Sequence, residues 1–480
     1  MTDVRPFWIA GRPETGEGTV DVTHPYDGRL VGSGGVPTAA QVEEAVQAAV
    51  DVAPEAARLS AAVRAEALAH VSRRLAERGD ELAHLITGEN GKPLKWARGE
   101  AARAASTFRW AAEEARRWNG ELMRLDTDAA AAGRMGVVRR FPVGPVLGIS
   151  PFNFPINLVA HKVAPAIAVG APIVLKPAMA TPLSALLLGE LLAETDLPAG
   201  MFSFLTVDND VASQLVKDER LPVVSFTGSE GVGWGIRDAA PRKHVTLELG
   251  GNAAAVVCGD FSSDEDLDWA ATRIAMFGNY QAGQSCISVQ RVLVDSAVYD
   301  RFLPRLVEKV EAQRTGDPWD ESTDVGPVID EKNAERIVAW VDEARGRGAE
   351  VLTGGTRDGS TVAPTVLANV PDDVRISCEE VFGPVMTVTA LDGTDALFAE
   401  VNDSRFGLQA GVFTRDVRTA FRAHTELEVG GVVIGDAPSF RADQMPYGGV
   451  KQSGVGREGL RSAMEDITYE KVMVLTGLEL

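Results

Sequence analysis

The sequence has 480 residues, of which 45% are hydrophobic and 24% charged, and its formal net charge is −21. This length exceeds what one hydrophobic core usually organises, so two large domains or one interleaved pair are expected. The acidic balance argues against unspecific binding to nucleic acid or to anionic lipid, because both require clustered Lys and Arg.

The opening residues, MTDVRPFWIAGRPETGEG, lack the basic stretch and apolar run of a signal peptide. No window of the sequence reaches the length of a membrane span. Three cysteines without a CxxC pair, Cys258, Cys286 and Cys378, fit neither a disulfide framework nor a structural zinc site. We therefore expect a cytoplasmic protein that acts on a small molecule and uses no metal, membrane or nucleic-acid partner.

Residues 38–120 carry Ala, Leu, Glu and Arg at helical spacing with few helix breakers, which predicts a helical layer. Residues 134–144, RMGVVRRFPVG, lack core-level hydrophobicity and indicate an extended arm or hairpin. From residue 144, strand-like apolar runs alternate with helical segments, and the same rhythm continues after Glu248 to about Gly435. This alternation predicts two α/β domains with parallel sheets and crossover helices, followed by a strand-like tail.

Cys286 is the cysteine whose surroundings suit a nucleophile. In FGNYQAGQSCISVQ, Gly283 and two glutamines interrupt a helix that ends near Phe277, which places the cysteine on a loop. The general alternative for a cysteine is a buried core position, and Cys258 in AAAVVCGD fits that alternative. Cys378 precedes two glutamates, whose charges disfavour a thiolate.

Glu248 is the candidate general base that such a thiol needs at neutral pH. In VTLELGGN it ends a predicted strand that runs into the Gly250–Gly251 turn, where a cleft usually forms. The alternative is a solvent-facing strand residue. Asn153 in SPFNFP could donate its side-chain N–H to an oxyanion, and its alternative role is a helix cap.

The glycine-rich run FTGSEGVGWG follows another predicted strand. Ser229 could open a helix whose N-terminal amides bind a pyrophosphate. The spacing of Gly231, Gly233 and Gly235 does not match the dinucleotide pattern GxGxxG, so this run alone is weak evidence.

Together these segments resemble the aldehyde dehydrogenase superfamily over nearly the whole chain. The segments SFRADQMPYGG and PFNFPINLVAHKVAP most resemble its lactaldehyde, glyceraldehyde and phosphonoacetaldehyde-type dehydrogenases. The matching motifs, in the family's order, are PFNFP (151–155), LKPA (175–178), SFTGS (225–229), LELGG (247–251), GQSC (283–286), EEVFGP (379–384) and MPYGGVKQSGVGRE (445–458).

The resemblance implies an α/β fold with three parts. These are a Rossmann-like cofactor domain at residues 1–119 and 143–248, a second α/β catalytic domain at 249–450, and a small β oligomerisation arm at 120–142 and 465–480. It further implies an interlocked homodimer or homotetramer, in which residues 134–141 and the C-terminal strand pair across subunits.

The resemblance also implies roles for individual residues. Cys286 would be the nucleophile, Glu248 the general base, and the Asn153 side chain with the Cys286 backbone N–H the oxyanion hole. In the cofactor site, Lys176 and Glu380 would hold ribose hydroxyls, Phe382 would border the nicotinamide ribose and Ser229 would meet the pyrophosphate. The implied cofactor set is Ile149, Ser150, Phe152, Lys176, Met179, Phe226, Gly228, Ser229, Leu249, Glu380 and Phe382.

Three positions depart from the family's pattern. Phe152 occupies the usual Trp position, and Val207 stands where a glycine normally follows a strand beside the adenine. Met179 replaces an acidic residue that binds the adenosine 2′-hydroxyl and would repel a 2′-phosphate. The sequence therefore leaves NAD and NADP both open as cofactor.

The implied substrate tunnel is largely polar. Arg441 aligns with a mouth position, where a guanidinium could bind a carboxylate, phosphate or hydroxyl, and the alternative is a solvated surface arginine. We therefore expect oxidation of a small polar or anionic aldehyde to its acid through a Cys286 thiohemiacetal and thioester. The implied tunnel residues are Arg109, Trp110, Phe154, Asn157, His161, Ser285, Ile287, Arg441 and Tyr447.

Three other functions remain open at this point. A CoA-acylating semialdehyde dehydrogenase or an acyl-phosphate reductase has the same fold, but such relatives generally lack the LELGG glutamate. A non-catalytic protein could also keep the fold. A thiol hydrolase would need a histidine near Cys286, for which His161 and His244 are available.

Overall fold

The computed structural model describes residues 4–477. The N-terminal segment contains five strands that the sequence patterns did not predict, because three of them span only two or three residues and the longest contains three glycines. They are β1 (Val4–Arg5), β2 (Phe7–Ile9), β3 (Arg12–Glu14), β4 (Gly18–Thr23) and β5 (Leu30–Val36). β1, β5 and β4 form a small sheet, whereas β2 and β3 extend the first large sheet.

The predicted helical layer is present as four helices, of which the second packs along the fourth. Thr38 caps the first helix, accepting a hydrogen bond from the Gln41 backbone while the Gln41 side chain accepts one from Thr38. Gly91, with a φ of 74°, ends the third helix in the left-handed conformation that glycine adopts readily. The helices are α1 (Ala39–Ala56), α2 (Ala61–Glu77), α3 (Gly79–Asn90) and α4 (Leu94–Arg117).

The first large sheet follows two arm strands, β6 (Glu121–Arg124) and β7 (Arg134–Pro142). Its remaining strands alternate with helices as the hydrophobic pattern predicts. They are β8 (Val146–Ile149), α5 (Asn157–Val169), β9 (Ile173–Lys176), α6 (Leu183–Ala193), β10 (Phe202–Phe204), α7 (Asn209–Lys217), β11 (Val223–Thr227), α8 (Glu230–Ala239) and β12 (His244–Glu248).

The strand order β12-β11-β8-β9-β10 places the first of these strands in the middle, and all these pairs are parallel. The chain therefore runs outward in both directions from β8, and the boundary between β8 and β11 is a topological switch point. Ligands of such sheets bind beyond the carboxyl ends of the strands at that point. Ile149, Lys176, Thr227 and Glu248 are the last residues of four neighbouring strands and lie at this edge.

The second half of the chain forms the second large sheet and the helices around it. Its elements are β13 (Ala253–Val257), α9 (Asp264–Asn279), β14 (Val289–Asp295), α10 (Ser296–Glu311), α11 (Glu331–Gly346), β15 (Glu350–Thr353), β16 (Arg357–Asp358), β17 (Thr361–Val362), β18 (Thr365–Ala368), α12 (Arg375–Cys378), β19 (Val385–Leu391), α13 (Gly393–Asn402), β20 (Phe406–Gly407), β21 (Gln409–Phe413), α14 (Val417–Glu426) and β22 (Gly431–Ile434). The sheet has the strand order β15-β18-β19-β14-β13-β21-β22, and all its neighbouring strands are parallel except β15 and β18. The strands β16 and β17 pair with each other outside this sheet.

The C-terminal segment returns to the first part of the molecule. Its elements are β23 (Val450–Lys451), β24 (Gly454–Val455), α15 (Leu460–Asp466) and β25 (Thr468–Thr476). β24 pairs with β12, so Gly454 lies opposite Glu248. The sequence patterns did not predict this return, since two residues are too few to show a period.

The predicted arm is a three-stranded sheet of order β25-β7-β6. One expectation about it was wrong. β7 pairs with β25 on one side and with β6 on the other within the same chain, so both of its edges are occupied. Residues 134–142 therefore cannot add a strand to a partner subunit. The C-terminal part of the predicted arm, residues 465–480, is described up to residue 477. Within it, β25 has one edge without a neighbouring strand.

The α/β class with parallel sheets is thus confirmed. Between residues 4 and 477, no helix is long and apolar enough to cross a membrane.

Candidate active site

Cys286 lies on a tight loop between α9 and β14, as predicted. A short 3-10 helix, Tyr280–Gly283, precedes it, and its residues Gln281 and Ala282 have φ angles of 56° and 51°. Such left-handed conformations are costly for residues other than glycine and are concentrated at functional sites. A hydrogen bond from the Gln281 side chain to Asn90 on α3 holds this turn in place.

The Cys286 thiol is half-buried and its sulfur lies 2.9 Å from the hydroxyl oxygen of Tyr447. Burial raises the pKa of this thiol to about 12, and the nearby Glu380 and Glu248 act in the same direction. The Tyr447 hydrogen bond and the positive charge of Arg441 oppose that rise. The thiol is therefore the resting form at neutral pH, and its reaction requires a base.

Glu248 is 3% exposed at the end of β12, so the alternative of a solvent-facing residue is wrong. Neither of its carboxyl oxygens has a hydrogen-bond partner among residues 4–477. Burial and the neighbouring Glu458 raise the pKa of Glu248 well above its ordinary range. A carboxyl whose pKa is raised in this way binds a proton more readily than an exposed one, as a general base must.

Glu458 is the charged partner of this pair of carboxyls. Lys162 and Arg441 hold its pKa at about 2, despite complete burial. The Lys162 ammonium lies 3.2 Å from Glu458 and donates to Thr227 at 2.7 Å, while Arg441 donates to Glu458 at 3.1 Å. Glu458 thus stays ionised, and its charge adds to the rise that burial causes in the pKa of Glu248.

Asn153 lies opposite this network on the loop that precedes α5. Its side-chain nitrogen donates to the Gln284 carbonyl oxygen at 2.9 Å, which ties it to the Cys286 loop. The alternative role as a helix cap is wrong, because α5 is preceded by Ile156 at the cap position. The amide nitrogen carries two hydrogens, so one stays available to an oxyanion beside Cys286.

Sequence reasoning missed the group that positions the Asn153 loop. The buried ammonium of Lys92 forms an ion pair with Glu100 and donates to the Asn153 carbonyl oxygen at 3.1 Å. Glu100 in turn accepts hydrogen bonds from the backbone of Ile156 and Asn157. Removing one partner of a buried ion pair typically costs about 3–5 kcal/mol of stability. The loop is therefore held by Lys92, between α3 and α4, and by Glu100 on α4, and in sequence both look like ordinary charged residues of the helical layer.

A pocket of about 400 Å³ lies beyond the carboxyl ends of β8, β9 and β11. It brings together the predicted cofactor residues Ile149, Lys176 and Phe226. No atom lies within 4 Å of a Cβ built on Gly235, so a side chain there would extend into open space. The other lining residues, which sequence reasoning missed, are Asn209, Ala212, Ser213, Val216, Lys217, Val232, Ile236 and Ala239.

This pocket fits the adenosine end of a dinucleotide. Ser229 occupies the cap position of α8, as predicted, and its side chain makes no capping hydrogen bond. The helix amides next to it are thus available to a phosphate. Gly228 precedes Ser229 and donates its backbone N–H to the Glu248 carbonyl oxygen at 3.0 Å.

The implied nicotinamide end lies at the Gly250–Gly251 turn. Glu380 accepts a hydrogen bond from the Gly251 backbone at 2.9 Å, and burial raises the pKa of this carboxyl to about 7. Phe382 has a φ of 48°, and its ring meets that of Phe152 edge-on at 5.9 Å between centroids. Of the remaining predicted cofactor residues, Ser150 and Leu249 are buried beside these strand ends and Met179 is partly exposed.

Most of the predicted tunnel residues are buried, and two of them contact Cys286. Ile287 and Tyr447 pack with Leu408 against Cys286. His161 is buried 3.3 Å from Asp443, and burial lowers the pKa of its imidazole to about 4. Three other predicted tunnel residues are buried, namely Phe154, Asn157 and Ser285. Trp110 is partly buried.

The two arginines among the predicted tunnel residues have different surroundings. Arg109 is an exposed side chain on α4 that pairs with Glu113 at 3.5 Å, so it does not reach the site. For Arg441 the alternative of a solvated surface arginine is wrong, because its side chain is 6% exposed and its guanidinium stacks 3.8 Å from the centre of the Tyr447 ring. The ion pair with Glu458 offsets the cost of burying this charge.

His161 and His244 do not complete a thiol hydrolase. They lie against Asp443 and Asp466, and the hydrogen-bond partner of the Cys286 sulfur among the described residues is Tyr447. Residues 4–477 contain no group of three His, Cys, Asp or Glu that could hold a metal ion.

Residues 12–473 match the model of the aldehyde dehydrogenase family. The 3-sulfolactaldehyde dehydrogenase of Priestia megaterium is 41% identical over 478 residues, with 99% of each chain covered. Aldehyde dehydrogenase 21 of Physcomitrella patens, crystallised with the reaction product succinate, matches with a TM-score of 0.97 and 43% identity over 99% of each chain. The NADP-dependent glyceraldehyde-3-phosphate dehydrogenase of Bacillus halodurans, complexed with NADP, matches with a TM-score of 0.94 and 33% identity, covering 99% of this chain and 100% of that one.

Proposed function

The chain belongs to the aldehyde dehydrogenase family, and from this premise we propose that it oxidises a short anionic aldehyde to the carboxylic acid through Cys286. As a member it is an oxidoreductase that acts on aldehydes with NAD or NADP. The proposal rests on three groups that lie together at the carboxyl ends of the strands of the first large sheet. They are the Cys286 thiol, the Glu248 carboxyl with its raised pKa and the Asn153 side-chain amide.

Each of these three groups has one task. Glu248 takes the proton of the Cys286 thiol, and the thiolate attacks the aldehyde carbon to form a C–S bond. The carbonyl oxygen becomes an oxyanion, held by the Asn153 side chain and the Cys286 backbone N–H. A donor of this kind contributes about 3–4 kcal/mol to lowering the barrier.

Held by Lys176, Ser229 and Glu380, a bound nicotinamide cofactor would supply the hydride acceptor for the oxidation. The Cys286 sulfur then carries a thioester. Glu248 releases the thiol proton to solvent and then deprotonates a water molecule that attacks the thioester carbon. The C–S bond breaks, the acid is released, and the returning thiolate takes the proton back from Glu248. The presence of Glu248 supports hydrolysis over transfer of the acyl group to CoA.

The adenosine pocket supports use of NADP. Its lining contains Lys176 and Lys217 together with the polar Asn209 and Ser213, and no acidic residue. Met179 adds no carboxylate beside them. The pocket lining would therefore offer a 2′-phosphate two cations and no carboxylate, and the acidic charge that acts on Lys176 is that of Asp208. We expect a lower KM for NADP than for NAD.

The charges around Glu248 support an anionic substrate. The cations Lys162, Arg441 and Arg457 face it, whereas Glu458 is the neighbouring ionised carboxylate. The Nε atom of Arg441 is buried and has no partner within the described residues. An anionic group on the aldehyde would satisfy that N–H and balance the positive charge.

The test is an aldehyde panel run with NAD and NADP in parallel. We expect kcat/KM for 3-sulfolactaldehyde, glyceraldehyde 3-phosphate or succinic semialdehyde to exceed that for lactaldehyde and propanal by about tenfold or more, the scale of one charged hydrogen bond. In Arg441→Gln this preference should disappear, while Arg98→Gln, an exposed arginine on α4, should keep it. Equal kcat/KM for charged and uncharged aldehydes in the wild type would overturn the substrate class.

We also propose that the protein is a homodimer or homotetramer, and that it works in the cytoplasm, which its three unpaired thiols support. β25 has an open edge and is exposed on both faces, with Val472, Met473 and Val474 each about half exposed. Apolar strands in this state usually pair with another chain. Light scattering after size exclusion should give a multimer for the wild type and a smaller species for Val472→Lys/Val474→Lys.

The matched control for the arm is Val63→Lys, an exposed valine on α2, which should leave the mass unchanged. A monomeric wild type, or a double variant with the mass of the wild type, would remove the arm from assembly.

A further inference from the structure

We propose that Tyr447 is a catalytic residue whose hydroxyl donates a hydrogen bond to the Cys286 thiolate and so favours ionisation of the nucleophile. The resemblance implies for Tyr447 a place in the wall of the substrate tunnel. Contact with the reacting sulfur is a different role. The effect of Tyr447 on turnover rests on the proposed function, whereas the effect of Tyr447 on the ionisation of the Cys286 thiol does not.

The first support is geometry. The hydroxyl oxygen lies 2.9 Å from the sulfur, and the ring is 3% exposed among Ile287, Leu408 and Cys286. Two backbone hydrogen bonds with Glu458, at 2.9 and 2.6 Å, fix the position of Tyr447. The hydroxyl is therefore held against the sulfur by both side-chain packing and backbone.

The second support is the direction of the hydrogen bond. Burial raises the pKa of the Tyr447 phenol well above its ordinary value, so the phenol stays neutral and keeps its proton. A thiolate has no proton to give and can only accept. The hydrogen bond is then charge-assisted in the thiolate state and weak in the thiol state, and it stabilises the thiolate selectively.

The third support is the set of charges that face the sulfur. Glu380, on the loop after α12, and Glu248, at the end of β12, both disfavour a thiolate. Arg441 favours it and stacks on the Tyr447 ring at 3.8 Å. Burial and the two carboxyls raise the pKa of the Cys286 thiol. The Tyr447 hydroxyl, in direct contact with the sulfur, opposes that rise.

The test is alkylation of Cys286 by iodoacetamide as a function of pH, followed at that residue by mass spectrometry in wild type and Tyr447→Phe. Phenylalanine keeps the ring and removes the donor. We expect the alkylation profile of the variant to move to higher pH and its rate at pH 8 to fall by about tenfold, the scale of one hydrogen bond to a charged group. Tyr280→Phe, which removes a buried phenol hydroxyl on the same loop, should retain the wild-type profile.

Superimposable profiles for wild type and Tyr447→Phe would overturn the proposal. Ultraviolet titration of the thiolate, with Cys286→Ser as the blank, gives the same answer without a reagent that must enter the site. Neither measurement needs an aldehyde or a cofactor. A shifted profile in a protein that oxidises no aldehyde would therefore support this role of Tyr447 and contradict the proposed function.

Discussion

Replacing Cys286 by serine should abolish formation of NADH or NADPH from every aldehyde in the panel, with kcat lowered by about 10³-fold or more. Burial already raises the pKa of the thiol to about 12 at this site. A hydroxyl is a far weaker acid than a thiol, so Glu248 could not ionise it. The ultraviolet absorbance of the reduced cofactor measures the loss directly.

Cys378→Ser is the matched control for this loss. Cys378 is an exposed thiol that donates to the Asp372 carbonyl oxygen at 2.9 Å, and a serine hydroxyl can make the same bond. We expect this variant to turn over like the wild type. Substantial dehydrogenase activity in Cys286→Ser would contradict covalent catalysis at this sulfur.

The chain positions of the candidate catalytic groups could be predicted because each lies in a local pattern. Gly283 and two glutamines break a helical run just before Cys286, and an alternating strand leads to Glu248 and a glycine turn. The α/β class followed from the same periodicity. In the structure Glu248 is the last residue of β12 and Cys286 lies on the loop before β14, as expected.

The surroundings of these groups could not be predicted, because they depend on contacts between distant residues. Tyr447 and Cys286 are 161 positions apart, and Lys162 and Glu458 are 296 apart. Arg441 looks like a loop residue in SFRADQMP, and its burial requires an ion-pair partner that no periodicity reveals. The two-residue strand β24, which seats Gly454 beside Glu248, is likewise too short to show a pattern.

The second large effect is expected for Glu248→Gln. We expect steady-state turnover about 10²–10⁴-fold slower, because an amide can neither take the proton of the Cys286 thiol nor deprotonate the water that attacks the thioester. Rapid-mixing absorbance should show a slowed first turnover of cofactor, and mass spectrometry should find the acyl group that remains on Cys286. Steady-state turnover equal to that of the wild type would remove Glu248 from deacylation.

The pH dependence separates this role from a structural one. The base must be deprotonated to act, and burial beside Glu458 raises the pKa of Glu248 well above its ordinary range. Wild-type turnover should therefore fall as pH decreases through that raised pKa, and Glu248→Gln should lack this acidic limb. The folded state favours the protonated Glu248 carboxyl. The free energy of unfolding therefore falls as pH rises from the pKa of this carboxyl in the unfolded state to its raised pKa in the folded state. The neutral amide avoids this loss, so at neutral pH the variant should melt no lower than the wild type while turning over far more slowly.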